Sequence, residues 1–107
     1  VLCDNGVIVP GACVENASYG LTCCAGRVAR FAARTQSSGA SMAALAVSCG
    51  ADDIVHAGNP ARMPCGACRQ VMLEFMAPDA PIWIDGVGAH KLSGLLPTPF
   101  KLTRMLP

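Results

Sequence analysis

Apolar and polar residues along this chain fall into runs that switch between the two-residue period of strands and the 3.6-residue period of helices. Val1–Cys3 and Val7–Val14 read as two strands joined by a turn at Asp4-Asn5-Gly6, a hairpin signal because Asn and Gly accept the backbone angles such a turn needs. From Thr22 to about Gln36, the residues Cys23, Val28, Phe31 and Ala32 recur on one helical face, with Thr22 placed to cap the start and Ser37-Ser38-Gly39 to end the run. Met42–Cys49 is a continuous apolar run of strand length, and a loop from Gly50 to Met63 follows it, with room for a short strand at Ile54–His56. Pro64 opens a second helix, whose apolar face carries Val71, Met72 and Phe75, and Pro78 stops it. Ile82–Asp85 reads as a further strand, and Ser93 as the cap of a short helical turn through Leu96 before the tail with Pro97 and Pro99. No linker, repeat or low-complexity stretch interrupts this order. Strands alternating with helices predict one layered α/β domain over residues 1–107.

Composition adds a constraint that the pattern lacks. The chain is 52% hydrophobic and only 14% charged, against roughly 25% charged in an average soluble protein. A domain of this length has difficulty hiding that much apolar surface in one core, so self-association is expected. A membrane is a poor alternative, because no stretch reaches the roughly 18 uninterrupted apolar residues of a spanning helix. The net charge of +1, with Lys and Arg scattered singly, lacks the basic stripe that a phosphate backbone demands. Polymeric nucleic acid is therefore not an expected partner. Trp83 and the methionines are assigned to the core.

The seven cysteines are an odd number in a sequence that shows no secretory leader, although it opens on Val1 and not on Met. Together with a Cys65-x-x-Cys68 spacing they suit a reducing compartment, the cytoplasm, and a metal better than disulfides. Cys3, Cys13, Cys23 and Cys49 lie in apolar runs and are expected as small buried hydrophobes. His56 and His90 each stand alone in loop-like sequence and read as surface or hydrogen-bonding residues. Cys65 and Cys68 fall on the first turn of the second helix, where unsatisfied N–H groups and the positive end of the helix dipole favour the metal-binding thiolate. Cys24, near the start of the first helix, completes a three-thiolate set if the two helix starts converge. That set leaves the fourth tetrahedral position of a zinc ion open, as in a catalytic site.

The run Val14-Glu15-Asn16-Ala17-Ser18-Tyr19-Gly20-Leu21-Thr22, then Cys24-Ala25, then Pro64-Cys65-Gly66-Ala67-Cys68-Arg69-Gln70-Val71, and finally Leu95-Leu96-Pro97 with Phe100, resembles the cytidine deaminase family in both motif and order. The resemblance covers nearly the whole chain and is far more specific than a lone Cys-x-x-Cys. It implies a three-layer α/β/α sandwich with a mixed sheet, here without the further amino-terminal helix and the strand with a stacking Phe that usually begin the family's fold. It also implies a homotetramer with pockets shared between subunits, and Zn2+ held by Cys24, Cys65 and Cys68. The implied reaction is hydrolysis of cytidine or deoxycytidine to the uridine product and ammonia, in which zinc activates a water and a glutamate that is not a ligand moves protons. By the same matching, Arg27 is the cation that offsets the charge of the three thiolates; an ordinary surface charge is the alternative. Cys13 and Glu15 would face the ribose hydroxyls, and Ala17, Tyr19, Ala25 and the ring of Phe100 would line the pocket.

Two positions depart from the family pattern. Gly26 stands where the proton-moving glutamate belongs, and Cys13 where an asparagine belongs. General acid–base catalysis is typically worth about 10² to 10⁴ in rate, and a thiol is a weak hydrogen-bond partner beside an amide. The chain's two glutamates offer no replacement. Glu15 is assigned to ribose, and Glu74 lies about 9 Å of helical rise beyond Cys68. Three roles remain open on the residues alone: an impaired zinc-dependent deaminase, a zinc- and nucleoside-binding homologue or partner subunit without turnover, and a structural zinc domain.

Overall fold

The computed structural model describes residues 1–37, 41–49 and 62–102. They build a mixed sheet of four strands in the order β1 (Leu2–Cys3), β2 (Met42–Val47), β3 (Pro81–Ile84) and β4 (Gly88–Lys91). β1 runs antiparallel to β2 with Leu2 opposite Ala44. β2 runs parallel to β3 with Leu45 opposite Ile82, and β3 returns antiparallel to β4 with Trp83 opposite Ala89. Two helices, α1 (Ala25–Gln36) and α2 (Gly66–Phe75), pack side by side, and a short α3 (Leu92–Leu95) closes against α2. The parallel β2–β3 pair requires a crossover, and α2 lies within it.

The core forms on one face of the sheet. Leu45, Ile82 and Ile84 point inward with Met42 and Cys3 and meet Ala33 of α1, Met72 and Met76 from α2 and its end, and Leu92 and Leu95 of α3. On the opposite face Ala46 and Trp83 are exposed. The expected α/β class and mixed sheet are present, with one helical layer among the described residues. Also among the described residues, no helix is long and apolar enough to cross a membrane.

Several local expectations are corrected. Val7–Val14 is not a strand: after the turn, in which Gly6 adopts φ +86°, pairing is limited to single bridges at Ile8 and Val14. Pro10 cannot donate to a ladder, and Gly11 lies so close to α1 that a β-carbon there would collide with the backbone nitrogen of Ala29 and the carbonyl oxygen of Ala25. Thr22 does not cap α1, because its hydroxyl accepts from the amide of Asn16 at 3.0 Å; Cys24 is the capping residue. The buried face of α1 carries Ala29, Arg30 and Ala33, whereas Phe31 is half exposed. Alanines let the helix approach closely, and the larger ring is turned out. Pro64 precedes the cap of α2, which is Cys65. Ser93 lies inside α3 and donates its amide to Pro78.

Trp83 is 57% exposed and not core, because the period of two that buries Ile82 and Ile84 sends it outward. Met42, Met72 and Met76 are buried as expected, and Met63 packs against the core from its edge. Cys3 is buried, Cys23 and Cys49 only partly, and Cys13 is exposed. β4 carries no apolar alternation; it is held by the Asp85-Gly86 turn, with Gly86 at φ +76°. The short strand expected at Ile54–His56 lies outside the described residues.

Candidate metal centre

Both helix starts present a cysteine as the residue that begins the helix. Cys65 caps α2 with its own sulfur, which accepts the amide of Cys68 at 3.4 Å. A cysteine sulfur thus takes the place usually filled by a serine or aspartate oxygen. Cys24 holds the corresponding place on α1. Arg69 sets the position of α2 by donating from Nε to the carbonyl of Pro64 at 2.8 Å and from Nη1 to that of Leu95 at 2.9 Å.

With the helices so placed, Sγ of Cys24 and Sγ of Cys65 stand 3.6 Å apart. The sulfurs of Cys24, Cys65 and Cys68 all lie within 4.8 Å of one another. Two thiolates on one tetrahedral zinc with bonds of about 2.3 Å stand about 3.8 Å apart, so the three sulfurs fit that ion. All three are free thiols, and no fourth His, Cys, Asp or Glu joins the cluster among the described residues.

The thiols differ in their surroundings. Burial works against ionising Cys65, but the hydrogen bonds its sulfur accepts outweigh it, and its pKa is lowered. Burial pushes the Cys68 thiol up to about 12, with the neighbouring Cys65 sulfur adding in the same direction. Arg27, on the first turn of α1, donates from Nη2 to Sγ of Cys24 at 3.5 Å and to the carbonyl of Thr22 at 3.4 Å. These sulfur contacts, Cys24 before Cys68, raise its pKa above the ordinary arginine value.

A cavity of about 270 Å³ opens beside the sulfurs, lined by Cys13, Ala25 and Gly26 together with the three thiols. Among its described lining residues there is no carboxylate. Glu15, Ala17, Tyr19 and Phe100 do not line it. All four are exposed, Tyr19 to 88% and Phe100 to 71%. Phe100 is tied to α2 through its carbonyl, which accepts from Nε2 of Gln70 at 2.9 Å.

The cavity also takes in residues that the sequence pattern does not single out. Ser48 and Cys49 follow β2 into its wall, and Arg62 reaches it while pairing with Asp85 at 3.6 Å. Arg30, one turn along α1 from Gly26, is wholly buried. Its only signal in the sequence is its place between Ala29 and Ala33 on a helix whose neighbouring positions are small.

An α/β domain that brings three thiols from two helix starts to the wall of one cavity is a zinc-site protein by construction. The chain matches no protein-family model. It is 40% identical over 102 residues to a cytidine deaminase of Mycobacterium tuberculosis, covering 94% of this chain and 69% of that protein. It is 36% identical over 104 residues to one of Halalkalibacterium halodurans, covering 94% and 73%. The crystal structure of the M. tuberculosis cytidine deaminase superposes with a TM-score of 0.69 at 33% identity, over 94% of this chain and 75% of that one. The corresponding structure from Burkholderia pseudomallei gives 0.67 at 30% identity, over 92% and 76%. The chain belongs to the cytidine deaminase family, and Cys24, Cys65 and Cys68 are its three-cysteine zinc site.

Proposed function

We propose that the protein binds cytidine or deoxycytidine at the zinc site and deaminates it hydrolytically, at a rate strongly reduced by Gly26. The observation that carries this reading is the cavity wall: three thiols and Gly26 share it, and no carboxylate stands there among the described residues. When bound, zinc supplies Lewis acidity at the open end of the three-thiolate set. The chain's own residues hold the metal through Cys24, Cys65 and Cys68 and offset the thiolate charge through Arg27. Cys13 and Glu15 face the ribose, and Ala17, Tyr19, Ala25 and Phe100 complete the pocket. Because Tyr19 and Phe100 are largely exposed in one chain, their part in the pocket is played across a homo-oligomer interface, a tetramer by the family pattern.

The absent carboxylate equally supports a second reading, in which the protein holds zinc and nucleoside without turnover, alone or beside an intact partner subunit. A parallel deamination assay of the parent and Gly26→Glu, with zinc measured on both, separates the two. The impaired-enzyme reading expects near-stoichiometric zinc in both proteins and turnover raised about 10² to 10⁴-fold in the variant. Zinc-loaded Gly26→Glu without activity favours the binding protein. A parent as fast as an intact homologue would remove the impairment altogether.

A further inference from the structure

Arg30 is 0% exposed, the largest fully buried side chain among the described residues. One of its nitrogens, Nη2, donates to the carbonyl oxygen of Cys68 at 3.2 Å. Nε and Nη1 are buried with no partner. Among the described residues no carboxylate answers the charge, and the ion pair found there joins Arg62 to Asp85. A lone buried cation costs several kcal/mol in a folded protein unless something anionic lies near it. Burial above all works against the charge of Arg30 and lowers its pKa; the sulfurs of Cys68 and Cys65 act in its favour and Arg27 against it.

Three thiolates around a zinc dication leave one net negative charge. Zinc binding requires all three sulfurs as thiolates and releases their protons, so this charge belongs to the metal-loaded state. We infer that Arg30 is the internal counter-charge of the zinc–thiolate centre and ties the stability of the fold to metal loading. Gly26 makes room for it: a β-carbon at position 26 would lie 3.3 Å from Nη2 and 3.5 Å from Nη1 of Arg30. Arg27 therefore meets the centre from the Cys24 side and Arg30 from the Cys68 side. The inference rests on the three-cysteine zinc site and is independent of whether the protein turns over a nucleoside.

The test compares the parent with Arg30→Gln and Arg30→Lys. Gln keeps a donor for the Cys68 carbonyl and loses the charge; Lys keeps the charge. Zinc affinity is read by competition with a chromogenic chelator, and melting temperature is read on zinc-loaded and zinc-free protein. Arg30→Gln is expected to bind zinc about tenfold or more weakly, the size typical of losing a partner in the shell around a metal's ligands. Its zinc-free form is expected to melt above the zinc-free parent, since an uncompensated charge is gone. Arg30→Lys should keep most of the affinity, and Arg34→Leu, an exposed control on the same helix, should match the parent in both measurements. The inference is overturned if Arg30→Gln binds zinc as tightly as the parent, if Lys falls as far as Gln, or if zinc-free Gln is the less stable protein. A parent that takes up no zinc would instead remove the metal site itself.

Discussion

Gly26 and Arg30 stand one helical turn apart on α1, and the guanidinium of the second fills space beside the α-carbon of the first, 3.3 Å from the place of a β-carbon. A side chain returned to position 26 therefore meets a flexible cation and not a wall. α1 has no acidic residue in its first turn, so Gly26→Glu adds a favourable charge at the helix start and removes a helix glycine. Together these are worth about 1 kcal/mol, with pairing to Arg30 in addition. Urea unfolding of the zinc-free proteins should show a higher midpoint for the variant. A lower midpoint would mean that Arg30 cannot move aside.

Zinc uptake should depend steeply on pH. Burial first, and then the Cys65 sulfur, push the Cys68 thiol up to about 12, so the zinc-free protein carries this proton throughout the neutral range. Zinc must displace it, and metal and proton compete for one sulfur. Falling pH therefore weakens binding and rising pH tightens it, by about tenfold per pH unit for this proton alone. Chelator competition between pH 6 and 8 measures the slope, and a flat profile would contradict the assignment of Cys68 as a ligand.

Gly11→Ala should destabilise the protein by about 1–3 kcal/mol, the usual penalty of overpacking. The added methyl would run into the backbone of Ala25 and Ala29, and neither can yield as a side-chain tip does. Because Gly11 also holds the segment leading to Cys13 against α1, the variant should lose nucleoside affinity along with stability. Denaturant midpoints and nucleoside titrations of the zinc-loaded protein report the two effects.

Ile82 and Trp83 are neighbours with opposite fates, 0% and 57% exposed. Ile82→Ala should cost about 2–5 kcal/mol. Trp83→Ala should cost about 1 kcal/mol or less, as for a surface position. Equal losses at low protein concentration would show that the outer face of the sheet is covered.

Half of the zinc site was legible in the residues because the Cys65-x-x-Cys68 pair is local. Cys65 and Cys68 lie on one turn, whereas Cys24 joins them only through the convergence of two helix starts, which the family resemblance implies and spacing alone does not. β2 and α2 are likewise visible as an unbroken apolar run and a run opened by Pro64. What escapes depends on long-range packing. The buried face of α1 is set by how closely Ala29 and Ala33 approach their neighbours, which favours small residues over Phe31, the most apolar residue of the helix. Arg30 is hidden for the same reason, since an arginine among alanines reads as surface until the helix is rotated into place. β4 exists because the Asp85-Gly86 turn folds Gly88–Lys91 back onto β3, not because those residues are apolar. The pocket roles proposed for Tyr19 and Phe100 have no counterpart within the single chain, where both side chains are exposed.

The meeting of Cys24 with Cys65 joins positions 41 residues apart in the chain. Closing so long a loop is entropically costly in an unfolded polypeptide, and the cost grows with the logarithm of loop length. A metal held at both ends works as a reversible cross-link, withdrawing that entropy from the unfolded ensemble much as a disulfide would. Seven cysteines stand as free thiols, and zinc on three of them can supply between two helix starts the restraint that a disulfide would otherwise give.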